Sequence, residues 1–476
     1  MMAGAHRSPK NVVWRERSRD VAAKLEAVVP PALAEALGRQ LDEQRRFVEA
    51  GCVPGFAQIL LRHGEVVHQA QYGVADKESG APFTEDTLVR LFSMTKPLTA
   101  VGLMILVERG RVGLDDPVSK YLPSFINMPF VRHAGQVRAK ATDKRVRRGP
   151  TIRQLLMHTS GLSYGAFFGC KARYACEKEY ADLVRRVDRG EIATLEAFVS
   201  ALSELPLRFR PGDRWEYSHG LDVVGRVIEV ASGKDLARFL HEKIFRPLAM
   251  RDTSFTVPQN KASRLAALYK PVEGNDRELR RLDGGASSAW VQNRTCSILS
   301  GGGFMGSEFP ASDGGCSVGG LVSTLRDYTR FVRMLQCRGR CPTTGARLLK
   351  EETVDSMFKN WLVLRSVSTG RGRLKGWDDA GRGWMGWCPL GQVSKTKTPP
   401  DVWMGGIAGT FWAIDGTHDL VVVHVSQVAE SYDFYGEELW RAARAGCEAT
   451  ADAQQQVDGT EANDTRPLKR RRKAAA

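Results

Sequence analysis

Two β-hairpin patterns lie near opposite ends of this 476-residue chain, and they constrain its fold more than any other feature. Residues 56–61 and 65–72 are strand-like runs separated by His63-Gly64. Residues 409–414 and 420–425 flank the turn residues Asp415, Gly416, Thr417 and His418. Short apolar runs bounded by turn formers read as paired strands. The sequence between the hairpins is mostly helical in its apolar spacing, with polar and Gly-rich interruptions. The expected fold class is therefore α/β (α+β): a central antiparallel β-sheet built from both chain termini and flanked by helices, with a mostly helical lobe inserted between its halves. Residues 31–48 predict an N-terminal helix packed outside the sheet, with Pro31 in its first turn and Leu33, Leu37 and Leu41 at helical spacing.

The chain divides into an N-terminal extension and helix (residues 1–44), a main domain (45–445) and a basic tail (446–476), which reads as disordered because apolar periodicity stops there. A net charge of +15 raises the question of nucleic acid. Much of that excess sits in two short runs, one at 138–148 inside a basic surface insertion (about 127–149) and one at Lys469-Arg470-Arg471-Arg472-Lys473. Neither accompanies a helix-turn-helix, RNA-recognition or zinc-finger pattern, so nucleic acid is not the expected partner. The tail run resembles a nuclear import signal, with a solvated basic tail as the competing reading. Nine scattered cysteines, with Cys337 and Cys341 the closest pair, suit reduced thiols and no metal site. The first thirty residues lack an apolar h-region, and no run of about 18 apolar residues occurs, so neither a secretory signal nor a transmembrane segment is expected. The expected compartment is intracellular and cytoplasmic, with nuclear and mitochondrial placement left open.

Chemistry enters at Leu91-Phe92-Ser93-Met94-Thr95-Lys96-Pro97, which leads into an apolar stretch ending at Glu108-Arg109-Gly110. A helix that starts close to Ser93 tolerates Pro97 in its first turn and turns Ser93 and Lys96 the same way. A serine hydroxyl needs an adjacent base, and a lysine serves when burial or nearby positive charge lowers its pKa. Spacing alone is weak, since Ser394 and Lys397 repeat it in a Lys/Thr/Pro loop that opens no apolar helix.

The surrounding blocks are more specific. Ser93-Met94-Thr95-Lys96-Pro97 resembles the active-site helix start of the serine β-lactamase-like and penicillin-binding-protein-like superfamily, in its esterase and transesterase branch. The similarity continues in order through Leu114-Asp115-Asp116-Pro117-Val118, Tyr121-Leu122-Pro123, the block from Thr151 to Leu162, Pro211-Gly212, Tyr217-Ser218, Pro247-Leu248, Gly319-Gly320-Leu321 and Gly405-Gly406, spanning most of residues 45–430. The resemblance implies a β-lactamase-related catalytic domain over 45–445, no cofactor, a small-molecule acyl substrate, and catalysis by Ser93, Lys96 and Tyr217. Tyr217 stands where the family carries the tyrosine of its Y-x-N triplet. His219 occupies the asparagine place, where it can orient Lys96 or the substrate; a satisfied structural histidine is the preferred alternative. Met404-Gly405-Gly406-Ile407 matches the third family element, K-T-G or W-G-G. It implies an oxyanion hole from the backbone N–H groups of Ser93 and Ile407, with Met404, Gly405 and Gly406 against substrate. Methionine in place of a cationic lysine favours a neutral ester. The expected activity is carboxylic ester hydrolysis or transesterification through an acyl-enzyme. The rivals are a β-lactamase or D-amino-acid peptidase on the same fold, and a non-catalytic scaffold. His158 and His424 read as structural. Oligomeric state is not legible.

Overall fold

The computed structural model describes residues 29–131, 137–138, 148–165, 175–188, 191–283, 320–362, 385–394, 401–429 and 435–464. In chain order the elements used below are α1 (Pro31–Glu49), β1 (Gly55–Arg62), β2 (Glu65–Asp76), β3 (Ala81–Pro82), α2 (Thr95–Glu108), α3 (Ile152–Leu156), α4 (Gly220–Ser232), α5 (Leu325–Gln336), β4 (Met385–Cys388), β5 (Gly391–Ser394), β6 (Val402–Gly406), β7 (Thr410–Asp415), β8 (Leu420–Val425) and α6 (Tyr435–Asp464). The eight strands form one sheet in the order β4-β5-β6-β7-β8-β1-β2-β3. The two hairpins meet at its centre, where β1 and β8 pair antiparallel with Ala57 opposite Val425 and Arg62 opposite Leu420.

Alternation along each strand separates two layers. Val421, Val423, Val425, Trp412, Ile414, Ile59 and Leu61 join the large core that contains α2, α4 and α5. Leu420, Val422, Phe411, Ala413 and Leu60 face the other way, onto Leu33 and Leu37 of α1 and Leu439, Trp440 and Ala443 of α6. Burying each large apolar side chain contributes about 1.5–3 kcal/mol, so both faces must be covered for the sheet to persist. Gln58 interrupts the outer layer, donating to Gln40 at 3.2 Å and to His68 at 2.9 Å and accepting from His424 Nδ1 at 3.3 Å. Burial pushes His424 down to about 3; burial and then the Arg45 charge push His68 down to about 4.

Two sequence-based boundaries change. The tail does not lose structure at 446, because α6 runs to Asp464 and Cys447 is buried. A Cβ at Gly446 would lie 2.6 Å from the Leu33 Cα, so this glycine, which weakens apolar periodicity, lets α6 cross α1 closely. Residues 465–476, with the basic run, lie outside the described residues. The segment 127–149 is not surface from its first residue: Met128, Phe130 and Val131 are buried, and the Val131 N–H donates to the Leu207 carbonyl at 2.7 Å. The basic stretch 139–147 lies outside the described residues, as do 166–174 and 284–319. As its pattern predicts, α1 packs on the outer face of the sheet. Among the described residues no helix is long and apolar enough to cross a membrane, and no cluster suits a metal ion.

Candidate active site

Ser93 sits on a single 3-10 turn, Phe92–Met94, that feeds directly into α2. Phe92 has φ +46°, a left-handed conformation that costs an L-residue roughly 1–2 kcal/mol. The turn is held from several sides. The Leu91 N–H donates to the Leu321 carbonyl at 2.9 Å, the Tyr328 hydroxyl to the Met94 carbonyl at 2.9 Å, and the Leu321 N–H to Thr95 Oγ1 at 3.0 Å. Upstream, the Arg90 N–H donates to Gln427 at 3.0 Å, and the buried Arg90 guanidinium pairs with Asp283 at 3.1 Å. Strain at a functional turn persists when its surroundings over-determine it. Pro97 is the third residue of α2, within the turn whose N–H groups have no helical partner.

Residues 95–106 of α2 are buried on every face, which carries Lys96 into the core. Lys96 Nζ lies 3.1 Å from Ser93 Oγ, and the Tyr217 hydroxyl donates to the same oxygen at 2.9 Å. The ammonium position is 4.6 Å from the Tyr217 ring centroid and 5.5 Å from that of Tyr164. Burial pulls Lys96 down to about 7, against the opposing pull of the Asp222 charge. Burial raises the Tyr217 phenol above its usual range, so it rests as a neutral hydroxyl. Lys96 and Tyr217, inferred from distant parts of the sequence, are therefore both within hydrogen-bonding reach of Ser93 Oγ.

Tyr217 reaches the serine because α4 docks closely on α3: a Cβ at Gly220 would lie 2.6 Å from the Leu155 carbonyl oxygen. His158, at φ +54°, anchors the approach. Its carbonyl accepts the Glu216 N–H at 2.9 Å, its Nδ1 accepts the Ser218 N–H at 3.1 Å, and its ring lies 4.5 Å from that of Tyr217. Burial and the Lys96 charge keep His158 neutral. It anchors the segment that carries Tyr217.

The third element arrives on β6. Gly405 pairs with Phe411 and Gly406 with Thr410, and Ile407 opens the three-residue turn into β7. A Cβ at Gly406 would lie 2.4 Å from the Leu91 carbonyl oxygen, so only glycine lets this strand end abut the turn that carries Ser93. Ile407 packs beside Phe92. Neither the Ser93 nor the Ile407 N–H donates to a carbonyl of another element among the described residues.

Met404 and His219 are both buried, which for His219 is the preferred structural reading and for Met404 is not the expected place against substrate. Met404 is only 4% exposed and belongs to the main core; strand alternation puts it on the packed inner face, where its sulfur lies against Gly391. His219 is fully buried at the N-terminus of α4, bonded through Nδ1 to Asp222 at 2.9 Å and packed against the Tyr164 and Phe198 rings. Sequence reading missed Tyr164 and Asp222. Tyr164 lies two residues beyond the Gly161-Leu162 block, and Asp222 lies one helical turn after His219, which was the available signal.

A family model described as Beta-lactamase matches residues 42–446. Protein Rv1367c from Mycobacterium tuberculosis is 29% identical over 394 residues, covering 80% of this chain and 88% of its own length. Esterase EstB from Burkholderia gladioli is 36% identical over 264 residues, 56% of this chain and 58% of its own. Among solved structures, a LovD6 mutant of simvastatin synthase from Aspergillus terreus superposes with TM-score 0.66 at 24% identity, covering 88% of this chain and 98% of that one.

Proposed function

Because the chain belongs to the beta-lactamase family, we propose that it is a serine hydrolase or transesterase that cleaves carboxylic esters through an acyl-enzyme on Ser93. The observation that carries this is the convergence of Lys96 Nζ and the Tyr217 hydroxyl on Ser93 Oγ, at 3.1 and 2.9 Å. In the neutral form Lys96 takes the Ser93 proton, directly or through Tyr217, as Oγ bonds to the ester carbonyl carbon. Charge gathers on the carbonyl oxygen, for which the Ser93 and Ile407 N–H groups are the donors; each such donor contributes about 3 kcal/mol in other serine enzymes. Collapse breaks the bond to the alkoxide oxygen, which leaves with the proton returned by Tyr217. Water or a second alcohol then repeats the sequence in reverse.

Two observations support a neutral ester over a β-lactam or peptide. Methionine stands where the third element of the family offers a lysine, and its side chain is buried, so this position presents no cation to a substrate carboxylate. The named esterase EstB also lies among the relatives. The test is turnover of a panel of p-nitrophenyl acyl esters beside a chromogenic cephalosporin, with intact-protein mass after fluorophosphonate treatment. The expected result is ester turnover and one adduct on Ser93, both abolished in Ser93→Ala. Unchanged turnover and labelling in Ser93→Ala overturn the assignment; cephalosporin turnover rivalling that of esters overturns the substrate class.

A further inference from the structure

When Ser93 gives up its proton, an ammonium forms inside a core that disfavours charge. A buried acid stands ready for it. Asp222, in the first turn of α4, and His219, at the start of that helix, are both fully buried and joined at 2.9 Å. The Tyr164 ring connects this pair to the reacting groups: its centroid is 4.2 Å from that of His219, 5.4 Å from that of Tyr217 and 5.5 Å from Lys96 Nζ. A carboxylate only accepts, so His219 presents Nδ1–H to it, while Nε2 meets no hydrogen-bonding group among the described residues. The imidazole is thereby committed to the acid and is turned away from solvent and substrate. Burying a carboxylate is costly without opposite charge, and one hydrogen-bond donor and a helix N-terminus offset only part of that cost.

We propose that Asp222, aimed by His219, is a positioning residue for Lys96, its carboxylate serving as the fixed counter-charge for the ammonium that forms as Ser93 attacks. The inference rests on the acyl-enzyme reading above. Its balance is simple: the Ser93 O–H bond breaks, Lys96 gains that proton, Oγ bonds to the carbonyl carbon, and Asp222 changes neither protonation nor bonding. A neutral amine makes little use of the carboxylate and an ammonium much, so the interaction strengthens toward the transition state. The Asp222 charge acts on Lys96, Tyr217 and Tyr164 alike, raising all three. The other titratable groups facing Lys96 do not compete. Burial keeps Tyr217 and Tyr164 as phenols and His158 as neutral imidazole, while Glu216 is paired with Arg208 at 3.4 Å.

The test compares Asp222→Asn, Asp222→Glu and His219→Phe with wild type by ester-hydrolysis pH profile, kcat and KM, fluorophosphonate labelling rate and thermal melting. Asp222→Asn is expected to lower kcat by about 10-fold or more with little change in KM, the scale of about 1.4 kcal/mol of transition-state interaction. It also moves the acid limb of kcat/KM to lower pH, because Lys96 without its counter-charge deprotonates sooner. Asp222→Glu restores the limb toward wild type, which a purely structural role does not require. Should Asp222→Asn fail to fold, His219→Phe is read instead; without the imidazole donor the buried Asp222 side chain favours its protonated form, so its charge on Lys96 is lost and the limb shifts in the same direction. A folded variant with wild-type kcat and limb overturns the inference while Ser93 labelling leaves the acyl-enzyme reading intact; wild-type labelling of Ser93→Ala overturns that reading itself.

Discussion

Replacing Gly406 by alanine adds one methyl group at the place where β6 touches the nucleophile turn. The new Cβ falls 2.3 Å from Thr410 Oγ1 and 2.4 Å from the Leu91 carbonyl oxygen, where contacts below 3.0 Å essentially never occur. The strand end and the turn must therefore separate by at least the difference, about 0.6 Å, and Leu91 is backbone tied to Leu321, so it has little room to yield. Misplacement of about 1 Å in an active site costs on the order of 100-fold in rate, and overpacking a core costs roughly 1–3 kcal/mol of stability. Gly406→Ala is thus expected to lower kcat on p-nitrophenyl esters by roughly 30- to 100-fold. Fluorophosphonate labelling of Ser93 should slow in parallel, since both reactions pass through the same oxyanion, while KM moves less. Gly38→Ala is the control: it lies on the exposed face of α1 with nothing within 4 Å, so it should leave activity unchanged and raise stability by up to about 1 kcal/mol. Wild-type kcat and labelling rate in Gly406→Ala would refute the claim that this strand end shapes the reacting centre.

Two further outcomes follow from the buried bases. Lys96 must be neutral to accept the Ser93 proton and burial brings it to about 7, so kcat/KM should rise with pH through a limb near neutrality; a limb near the ordinary lysine value contradicts that environment. His424 stays neutral in the fold until about pH 3, whereas the unfolded chain takes up the proton near 6.5. Stability is therefore fully present above 6.5 and lost as pH falls, by roughly 2 kcal/mol at this site between pH 6.5 and 5. Urea unfolding at the two pH values should show His424→Gln flattening that slope, and an unchanged slope refutes the assignment.

The hairpins, the N-terminal helix and the Ser93–Lys96 spacing were legible because each is a local pattern. Turn residues and apolar period act within about ten residues, and one helical turn joins the two side chains whatever surrounds them. Tyr217 and the Gly405-Gly406 strand were legible only through family resemblance, since nothing local says that they meet Ser93. Composition misled beyond residue 446, where the helix continues to Asp464 and Gly446, which looks like loss of pattern, serves a close helix crossing. Met404 was assigned to substrate, and His219 left open to it beside the preferred structural reading, because the sequence names a position without its direction. Strand alternation and the first turn of α4 send both side chains into the core. Which groups share one buried compartment, and so the depressed basicity of Lys96 and the placement of Asp222 to balance it, was decided by tertiary packing alone: burial and electrostatics depend on distances between segments more than a hundred residues apart, which local patterns do not encode.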